Sequence, residues 1–195
     1  MTSAGRTRDP EERIREIGRA AAELITESGP AALTHRAVAA RAGVAVGTTT
    51  RYFATIDDLR KHALEFLAEE IENDLGELAR DLAEAADPVA YLAVAVAESL
   101  TDRQAVLAEC SLVFAGLFED DLRELSLRWY AGVTEVLTPS FGRARSEMLA
   151  MCLDGASINT ALTGTAPTAA RLEALIRAIS TMPEPSDPSR EDPTA

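Results

Sequence analysis

Apolar residues recur at helical spacing along most of the chain. In the first segment Ile14, Ile17, Ala21 and Leu24 lie three or four residues apart, which places them on one face of a helix. Similar spacing continues downstream, and no segment shows the strict alternation of a half-buried strand. The pattern therefore predicts an all-α fold. Its predicted helices cover about residues 10–27, 35–42, 45–53, 56–85, 88–100, 102–117, 119–138, 143–164 and 168–181.

Glycine and proline separate these predicted helices. Gly29-Pro30 ends the first helix and Gly43 ends the second, since a glycine accepts the left-handed conformation found after many helices. Pro139 and Gly142 are expected to end the helix that starts at residue 119. Gly76 makes a bend or a break possible inside the long helix that follows residue 56.

Residues 33–53, LTHRAVAARAGVAVGTTTRYF, carry the most informative pattern. Thr34 suits the N-cap of a short helix, Gly43 suits the turn after it, and a second short helix follows. The exposed side of that second helix is small and hydroxylated, and its only charge is one arginine. It comprises Val46, Gly47, Thr48, Thr50 and Arg51, with Tyr52 close by. This combination indicates a helix-turn-helix.

The charge of the part that contains this motif differs from that of the rest of the chain. The net charge of the 195 residues is −13, which is unusual for a protein that binds nucleic acid. Residues 1–53 nevertheless hold eight arginines against six acidic residues, a balance of +2, so the remaining residues carry −15. Only the N-terminal part is therefore suited to face DNA, and the acidic part is expected to point away from it.

Composition limits the other possibilities. Apolar residues make up 47% of the chain, enough for a sizeable core, and no apolar run is long enough to span a bilayer. The polar N-terminus lacks the apolar segment of a signal peptide, so a cytoplasmic location is expected. We expect a DNA-binding domain at 1–55, a helical ligand-binding and dimerisation domain at 56–182, and a disordered tail at 183–195. No cofactor and no metal site are expected.

The motif at residues 33–53 resembles the TetR family of bacterial transcription regulators. The likeness runs from Leu33-Thr34 through Ala42-Gly43-Val44 to Tyr52-Phe53 and extends to Asp58-Leu59. It covers about the first third of the chain. The resemblance implies three N-terminal helices that hold the helix-turn-helix, followed by about six helices around a ligand cavity. It also implies a homodimer formed by the last two large helices, here 143–164 and 168–181, which binds a palindromic operator in double-stranded DNA.

The resemblance also implies roles for single residues. Thr34 and His35 fall where the family contacts the DNA backbone, and Arg36 falls where a side chain reaches a base edge. Thr48 and Tyr52 match hydroxyls that bind phosphate. Val46, Gly47 and Thr50 face the groove, with Arg51 beside them. Two alternatives stay open, since Arg36 also suits an intramolecular salt bridge and Tyr52 also suits a core ring with an exposed hydroxyl.

Two positions depart from the family pattern. The family often has an aromatic residue where this chain has Thr50, and often a phosphate-binding lysine where it has Ile56. Arg60 or Lys61, about one turn further on, are candidates to replace that lysine. The departures put the affinity and the sequence preference for DNA in question more than the role itself.

The effector of such a regulator is expected to be a small hydrophobic molecule. A pocket with apolar walls and a few polar groups suits such a ligand, and Asn159 stands out because an amide inside an apolar helix needs a partner. Plain core packing is the alternative for every candidate. The candidate residues are Phe66, Tyr91, Cys110, Phe114, Phe118, Trp129, Met148, Met151, Cys152 and Asn159.

The expected function is therefore that of a repressor that releases its operator when a small hydrophobic molecule binds the C-terminal domain, and two other classes of function compete with it. An enzyme is disfavoured because His35 and His62 are the only histidines and the chain has no Ser/His/Asp spacing, metal cluster or phosphate loop. A helical ligand- or protein-binding module with weak or lost DNA affinity stays possible because of Thr50, Ile56 and the net charge of −13.

Overall fold

The computed structural model describes residues 9–183, which form nine α-helices and one short 3₁₀ turn, Pro30–Ala32. The prediction of an all-α fold is confirmed. The predicted tail lies outside the described residues from position 184 onward, as do residues 1–8. The helices are α1 Pro10–Ser28, α2 His35–Arg41, α3 Val46–Tyr52, α4 Ile56–Glu84, α5 Pro88–Ser99, α6 Arg103–Phe118, α7 Asp120–Phe141, α8 Arg143–Thr163 and α9 Ala169–Thr181.

Side-chain caps explain why several helices begin where they do. The side chain of Asp9 accepts a hydrogen bond from the Glu11 N–H (3.1 Å) at the start of α1. Before α4, Thr55 and Asp58 form a reciprocal capping box, in which each side chain accepts from the other's backbone N–H at 3.0 Å. These bonds hold the pKa of Asp58 below its usual value. The boundaries of helices with such caps agree closely with the sequence prediction.

The break that Gly76 made possible is absent, and the helix that was expected to end at Pro139 and Gly142 passes through Pro139. The helix α4 runs from Ile56 to Glu84 without interruption, although Gly76 lies inside it. The helix α7 continues through Pro139 to Phe141, three residues beyond the predicted end. Pro139 is tolerated in the last turn because it removes only one backbone donor there. Burial of Phe141 (5% exposed) holds that turn in place. Gly142, with φ +80°, then ends the helix.

The chain folds into two compact units. The first contains the residues up to Asp74 together with Asp102–Trp129, and the second contains Leu75–Thr101 together with the residues from Tyr130. The predicted domain boundary at residues 55 and 56 stays a prediction. None of the described helices combines the length and the apolar character that a membrane span requires.

Two apolar clusters form the core of the first unit. One joins α1, α2, α4 and the end of α3, and the other joins α1, α4, α6 and α7. Arg128 on α7 pairs with Glu72 on α4 at 2.6 Å. The buried members of the first cluster are Ile17, Ala20, Ala21, Ile25, Leu33, Val38, Phe53, Leu59 and Ala63; those of the second are Ala22, Leu64, Leu67, Ala108 and Leu122.

The second unit is centred on α9, which packs against α5 and α8. Leu92, Leu149 and Ile176, one from each helix, are fully buried. Asp87 caps α5 by accepting from the Val89 and Ala90 N–H groups, and it also pairs with Arg177 of α9 at 3.1 Å. The backbone bond from Ala90 and the pairing with Arg177 lower the pKa of Asp87.

Two glycines inside helices provide a test of packing. Gly116 on α6 lies where α6 and α7 approach each other, and Gly76 on α4 is the control without a close neighbour. A Cβ added at Gly116 would collide with the side chain of Ser126 and lie 3.3 Å from the Arg123 Cα, whereas one added at Gly76 would meet nothing within 4 Å. We expect Gly116→Ala to lower the free energy of unfolding by about 1–3 kcal/mol through overpacking. Gly76→Ala should raise it by about 0.5–1 kcal/mol, since alanine orders more readily in a helix.

Urea unfolding monitored by circular dichroism measures both changes. Equal effects of the two substitutions would contradict the close approach of α6 and α7.

Candidate functional site

The turn between α2 and α3 has the geometry that its sequence predicts. Thr34 is the N-cap of α2, and its Oγ1 accepts from the Ala37 N–H at 3.1 Å. Gly43 has φ +64°, a conformation that favours glycine. The Val44 N–H then donates to the Ala39 carbonyl at 2.9 Å, which closes the turn. These bonds determine where α3 starts relative to α2.

A buried threonine joins the two short helices. Thr49 is fully buried, and its hydroxyl donates to the Val46 carbonyl at 2.8 Å and reaches the His35 carbonyl at 3.5 Å. Sequence analysis named the threonines on either side and missed this one. The available signal was its spacing, because Thr49 lies four residues before the buried Phe53 and therefore faces the same way.

The end of α3 is anchored in the apolar core. Phe53 is a buried member of the cluster built around Ile17 and Val38, and Tyr52 packs partly against it. The Tyr52 hydroxyl has no hydrogen-bond partner within residues 9–183. Tyr52 therefore has a partly buried ring and a hydroxyl without a partner in the described residues. Its role in binding phosphate stays a prediction.

The structure brings the nine predicted DNA-contacting residues together on α2, α3 and the N-cap of α2. They fall into two classes of burial, and the Nδ1 of His35 is buried without a hydrogen-bond partner in the described chain. Thr34, Arg36, Val46, Gly47, Thr50 and Arg51 are exposed, whereas His35, Thr48 and Tyr52 are partly buried.

The electrostatics of this surface follow from which charges are paired. Residues 28–56 contain no acidic residue. Arg41 is exposed, but its guanidinium is paired with Glu23 (3.1 Å) and Glu27 (2.5 Å) on α1. The hydrogen bond with Arg41 lowers the pKa of Glu27, and the same bonds raise that of Arg41. Within residues 9–183, Arg36 and Arg51 form no ion pair, so the surface carries two available guanidinium groups.

The cations at the start of α4 differ from each other. Arg60 pairs with Asp57 at 3.1 Å and with Glu119 at 2.8 Å, and its Nε is buried. Lys61 is exposed and has no ion pair among the described residues. Arg60 and Lys61 were the two candidates to replace the lysine that is missing at position 56. Of these two, only Lys61 has no ion pair among the described residues.

Nothing in the described structure requires glycine at position 47, which lies inside α3. A Cβ at this position would meet no atom within 4 Å, and its φ is not in the left-handed region. Glycine in a helix lowers stability relative to alanine. The open space above Gly47 therefore suits the close approach of another molecule.

The ten candidate ligand residues are divided between the two units. Phe66, Cys110, Phe114, Phe118 and Trp129 belong to the first unit, and Tyr91, Met148, Met151, Cys152 and Asn159 belong to the second.

In the first unit, Phe66 packs against the cluster shared by α1, α4, α6 and α7, and the guanidinium of Arg19 lies 5.8 Å from its ring centroid. Cys110 is buried, whereas Phe114 and Phe118 are 45% and 85% exposed. The Nε1 of Trp129 is buried without a partner among residues 9–183.

In the second unit, the Tyr91 hydroxyl donates to Asp81 at 2.9 Å. Met148 and Cys152 are partly buried, and Met151 is 58% exposed. Asn159 is exposed, in contrast to the expectation that its amide lies inside an apolar helix. Residues 9–183 contain no group of three His, Cys, Asp or Glu side chains arranged to hold a metal ion.

Comparison with known proteins agrees with this geometry. Residues 17–63 match the family described as bacterial regulatory proteins, tetR family. A TetR family member from Streptomyces coelicolor A3 is 31% identical, with a TM-score of 0.74, over 86% of this chain and 98% of that one.

The multidrug binding protein EbrR is also similar. Its complex with imidazole is 30% identical, with a TM-score of 0.74, over 92% of this chain and 100% of that one. Its complex with ethidium is 31% identical, with a TM-score of 0.73, over 88% and 99%.

Among proteins of curated function, none matches the chain. The helix-turn-helix match and the agreement with these structures over nearly their full length lead to one conclusion: the chain belongs to the TetR family of bacterial regulatory proteins.

Proposed function

We propose that the protein is a repressor that binds an operator through α2 and α3 and releases it when a small hydrophobic molecule binds elsewhere in the chain. The observation that carries this proposal is the surface of α2 and α3, which lacks carboxylates and presents Arg36 and Arg51 without ion pairs among the described residues. DNA phosphates attract such a surface, and an unpaired arginine suits the guanine edge.

The burial of the single residues supports a division of roles. Arg36 reaches a base edge from the first turn of α2, where it is exposed and unpaired within residues 9–183. The hydroxyls of Thr48 and Tyr52 bind phosphate, since their side chains are anchored by partial burial. Val46, 45% exposed, meets the thymine methyl group in the groove. Thr34, His35, Gly47, Thr50 and Arg51 complete the contact surface.

Arg36 and Tyr52 provide a test of these roles. Arg36→Ala should weaken specific binding by about 1–3 kcal/mol and relax the preference at one base pair, because a base contact is lost. Tyr52→Phe should weaken binding to all sequences about equally, because a phosphate contact is lost. Fluorescence anisotropy with the operator and its single-base variants measures both effects.

Arg103→Ala is the matched charge control, since Arg103 is exposed on α6 and has no ion pair in the described part of the chain. A change confined to one base preference in Tyr52→Phe would refute the assignment of roles.

Gly47 gives a second test, in which stability and binding should change in opposite directions. Gly47→Ala should raise the free energy of unfolding by about 0.5–1 kcal/mol, because alanine is the better helix former. It should weaken DNA binding, because the added methyl group separates α3 from the groove. Gly76→Ala, equally exposed on α4, is the control that gains stability alone. Unchanged DNA affinity in Gly47→Ala would show that the groove does not approach this position.

A helical module without DNA affinity remains the rival function. It is favoured by Thr50 and Ile56 and by the pairing of Arg60 with Glu119, which leaves fewer cations for phosphate. A gel-shift assay with the DNA that flanks the gene separates the two functions. No shift even at low salt, where phosphate contacts are strongest, would favour the module.

The effector part of the proposal is supported by the relatives. EbrR, at 30–31% identity, forms complexes with ethidium, proflavin and malachite green, which are aromatic molecules. The second unit contains partly buried aromatic and sulfur side chains, including Tyr91, Met148 and Cys152. A hydrophobic aromatic effector fits these side chains better than a polar metabolite would.

Release of the operator requires unequal affinity of the effector for two states. We expect malachite green to bind the free protein more tightly than the operator-bound protein in isothermal titration calorimetry. Titration of the dye into operator DNA alone is the control, because aromatic dyes also bind nucleic acid by themselves. Equal affinities for free and bound protein would exclude this mechanism.

The proposal includes a homodimer formed through α8 and α9. Met151 (58% exposed) and Leu162 (82% exposed) leave an apolar face on α8, and Leu175 (38% exposed) adds to one on α9. Gly155 lies between the two α8 residues, and a Cβ there would meet nothing within 4 Å, which suits a closely packed second copy. Two copies would place their α3 helices about 34–36 Å apart, one turn of DNA. A monomer in sedimentation velocity would refute the dimer.

A further inference from the structure

The imidazole of His62, on α4, lies where α1, α4 and the end of α3 meet in the first unit. Its closest neighbour on α1 is Gly18, and its ring centroid lies 5.1 Å from that of Phe53, with 36° between the two ring planes. Its Nδ1 lies 3.5 Å from the carboxylate of Glu65, and 29% of the side chain is exposed. None of the roles assigned so far uses this side chain.

Gly18 leaves the space that this ring occupies. A Cβ added at position 18 would lie 3.0 Å from the His62 Cδ2 and 3.1 Å from its Nε2, which is closer than ordinary contact between such atoms. Glycine weakens a helix relative to alanine, and the buried positions 20, 21 and 22 of α1 are all alanine. A methyl group is thus accommodated elsewhere on α1 but not beside the imidazole.

Phe53 connects the imidazole to α3. It is the C-cap residue of α3, its N–H donates to the Thr49 carbonyl at 2.9 Å, and it is 7% exposed. The separation of 5.1 Å between the two rings lies in the range of favourable aromatic contacts. Because α3 has only seven residues, contacts at its ends determine its orientation more than its own hydrogen bonds do. A shift of the imidazole therefore reaches α3 through Phe53.

We propose that His62 is a positioning residue for DNA binding, whose imidazole lies in the space left by Gly18, packs on Phe53 and so holds the orientation of α3. This inference rests on the proposed function, in which α3 contacts the operator, and it adds a residue that acts without touching DNA. Plain core packing is the alternative. It would change the stability of the protein and leave the DNA affinity of the folded protein as it is.

A double-mutant cycle on Gly18 and His62 tests this role. Gly18→Ala displaces the imidazole and should weaken binding to a labelled duplex of the DNA that flanks the gene by about threefold or more in fluorescence anisotropy. In the background of His62→Ala, where the imidazole is gone, Gly18→Ala should cause no further loss. Gly76→Ala is the matched control, since the same substitution on α4 meets nothing within 4 Å, and it should leave the affinity unchanged.

His62→Phe separates positioning from a direct contact between the imidazole and DNA. It keeps an aromatic ring beside Phe53 and removes both ring nitrogens, so it should bind the duplex more tightly than His62→Ala does. Urea unfolding monitored by circular dichroism shows that each variant is folded under the conditions of the binding assay.

Proton NMR of the free protein reports on the contact itself. The 195 residues contain only two histidines, so His35→Asn identifies the ring signals of His62. Gly18→Ala should shift the signal of the His62 Cδ2 proton, because the imidazole moves relative to the ring of Phe53, and Gly76→Ala should leave it in place. An unchanged signal in Gly18→Ala would show that the methyl group does not displace the ring and would overturn the inference.

Three results of the binding assay would also overturn it. Wild-type affinity in Gly18→Ala, together with a shifted NMR signal, would show that the ring does not position α3. Equal losses from Gly18→Ala with and without His62 would show that the substitution acts through another residue. If Gly18→Ala does not fold, equal affinities of His62→Phe and His62→Ala decide against the inference. All three leave the proposed function intact, whereas a wild type that binds no DNA even at low salt would refute both.

Discussion

The orientation of α3 depends on the apolar cluster to which α1, α2 and α4 also contribute. Ile17, Val38 and Leu59 are fully buried in it, and Phe53 fastens the end of α3 to the same cluster. A helix of seven residues is not stable by itself in water. Packing against the cluster therefore stabilises α3, which is too short to be stable alone. The Thr49 hydroxyl adds a polar contact to α2. The outer face of α3 therefore keeps its orientation because the inner face of the same helix is buried.

Charge pairing gives this surface its chemical character. The acidic residues that flank it in the sequence are occupied: Glu23 and Glu27 pair with Arg41, Asp57 pairs with Arg60, and Asp58 caps α4. Their negative charge is thereby partly neutralised, while the arginines of α2 and α3 that face outward keep theirs. An acidic protein can in this way present a small positive surface, since residues 1–53 carry +2 and the residues beyond them carry −15 of the total of −13.

Each of the two units contains polar groups that its own fold leaves unsatisfied among the described residues. Within residues 9–183 the indole N–H of Trp129 and the hydroxyl of Thr160 are buried without partners, and Asp154 lacks a cation. Such groups cost free energy, and native proteins contain few of them.

The amino-acid sequence by itself determined the helices, their caps and the helix-turn-helix, because these depend on local spacing and on residues such as Thr34, Gly43 and Asp87. It did not reveal that α7 passes through Pro139, since burial of Phe141 outweighs a local helix-breaking preference. Only the tertiary structure decided which arginines are paired, that Thr49 is buried and that Asn159 is exposed. Pairing and burial depend on residues distant in sequence, such as Glu23 for Arg41, and local periodicity carries no information about them.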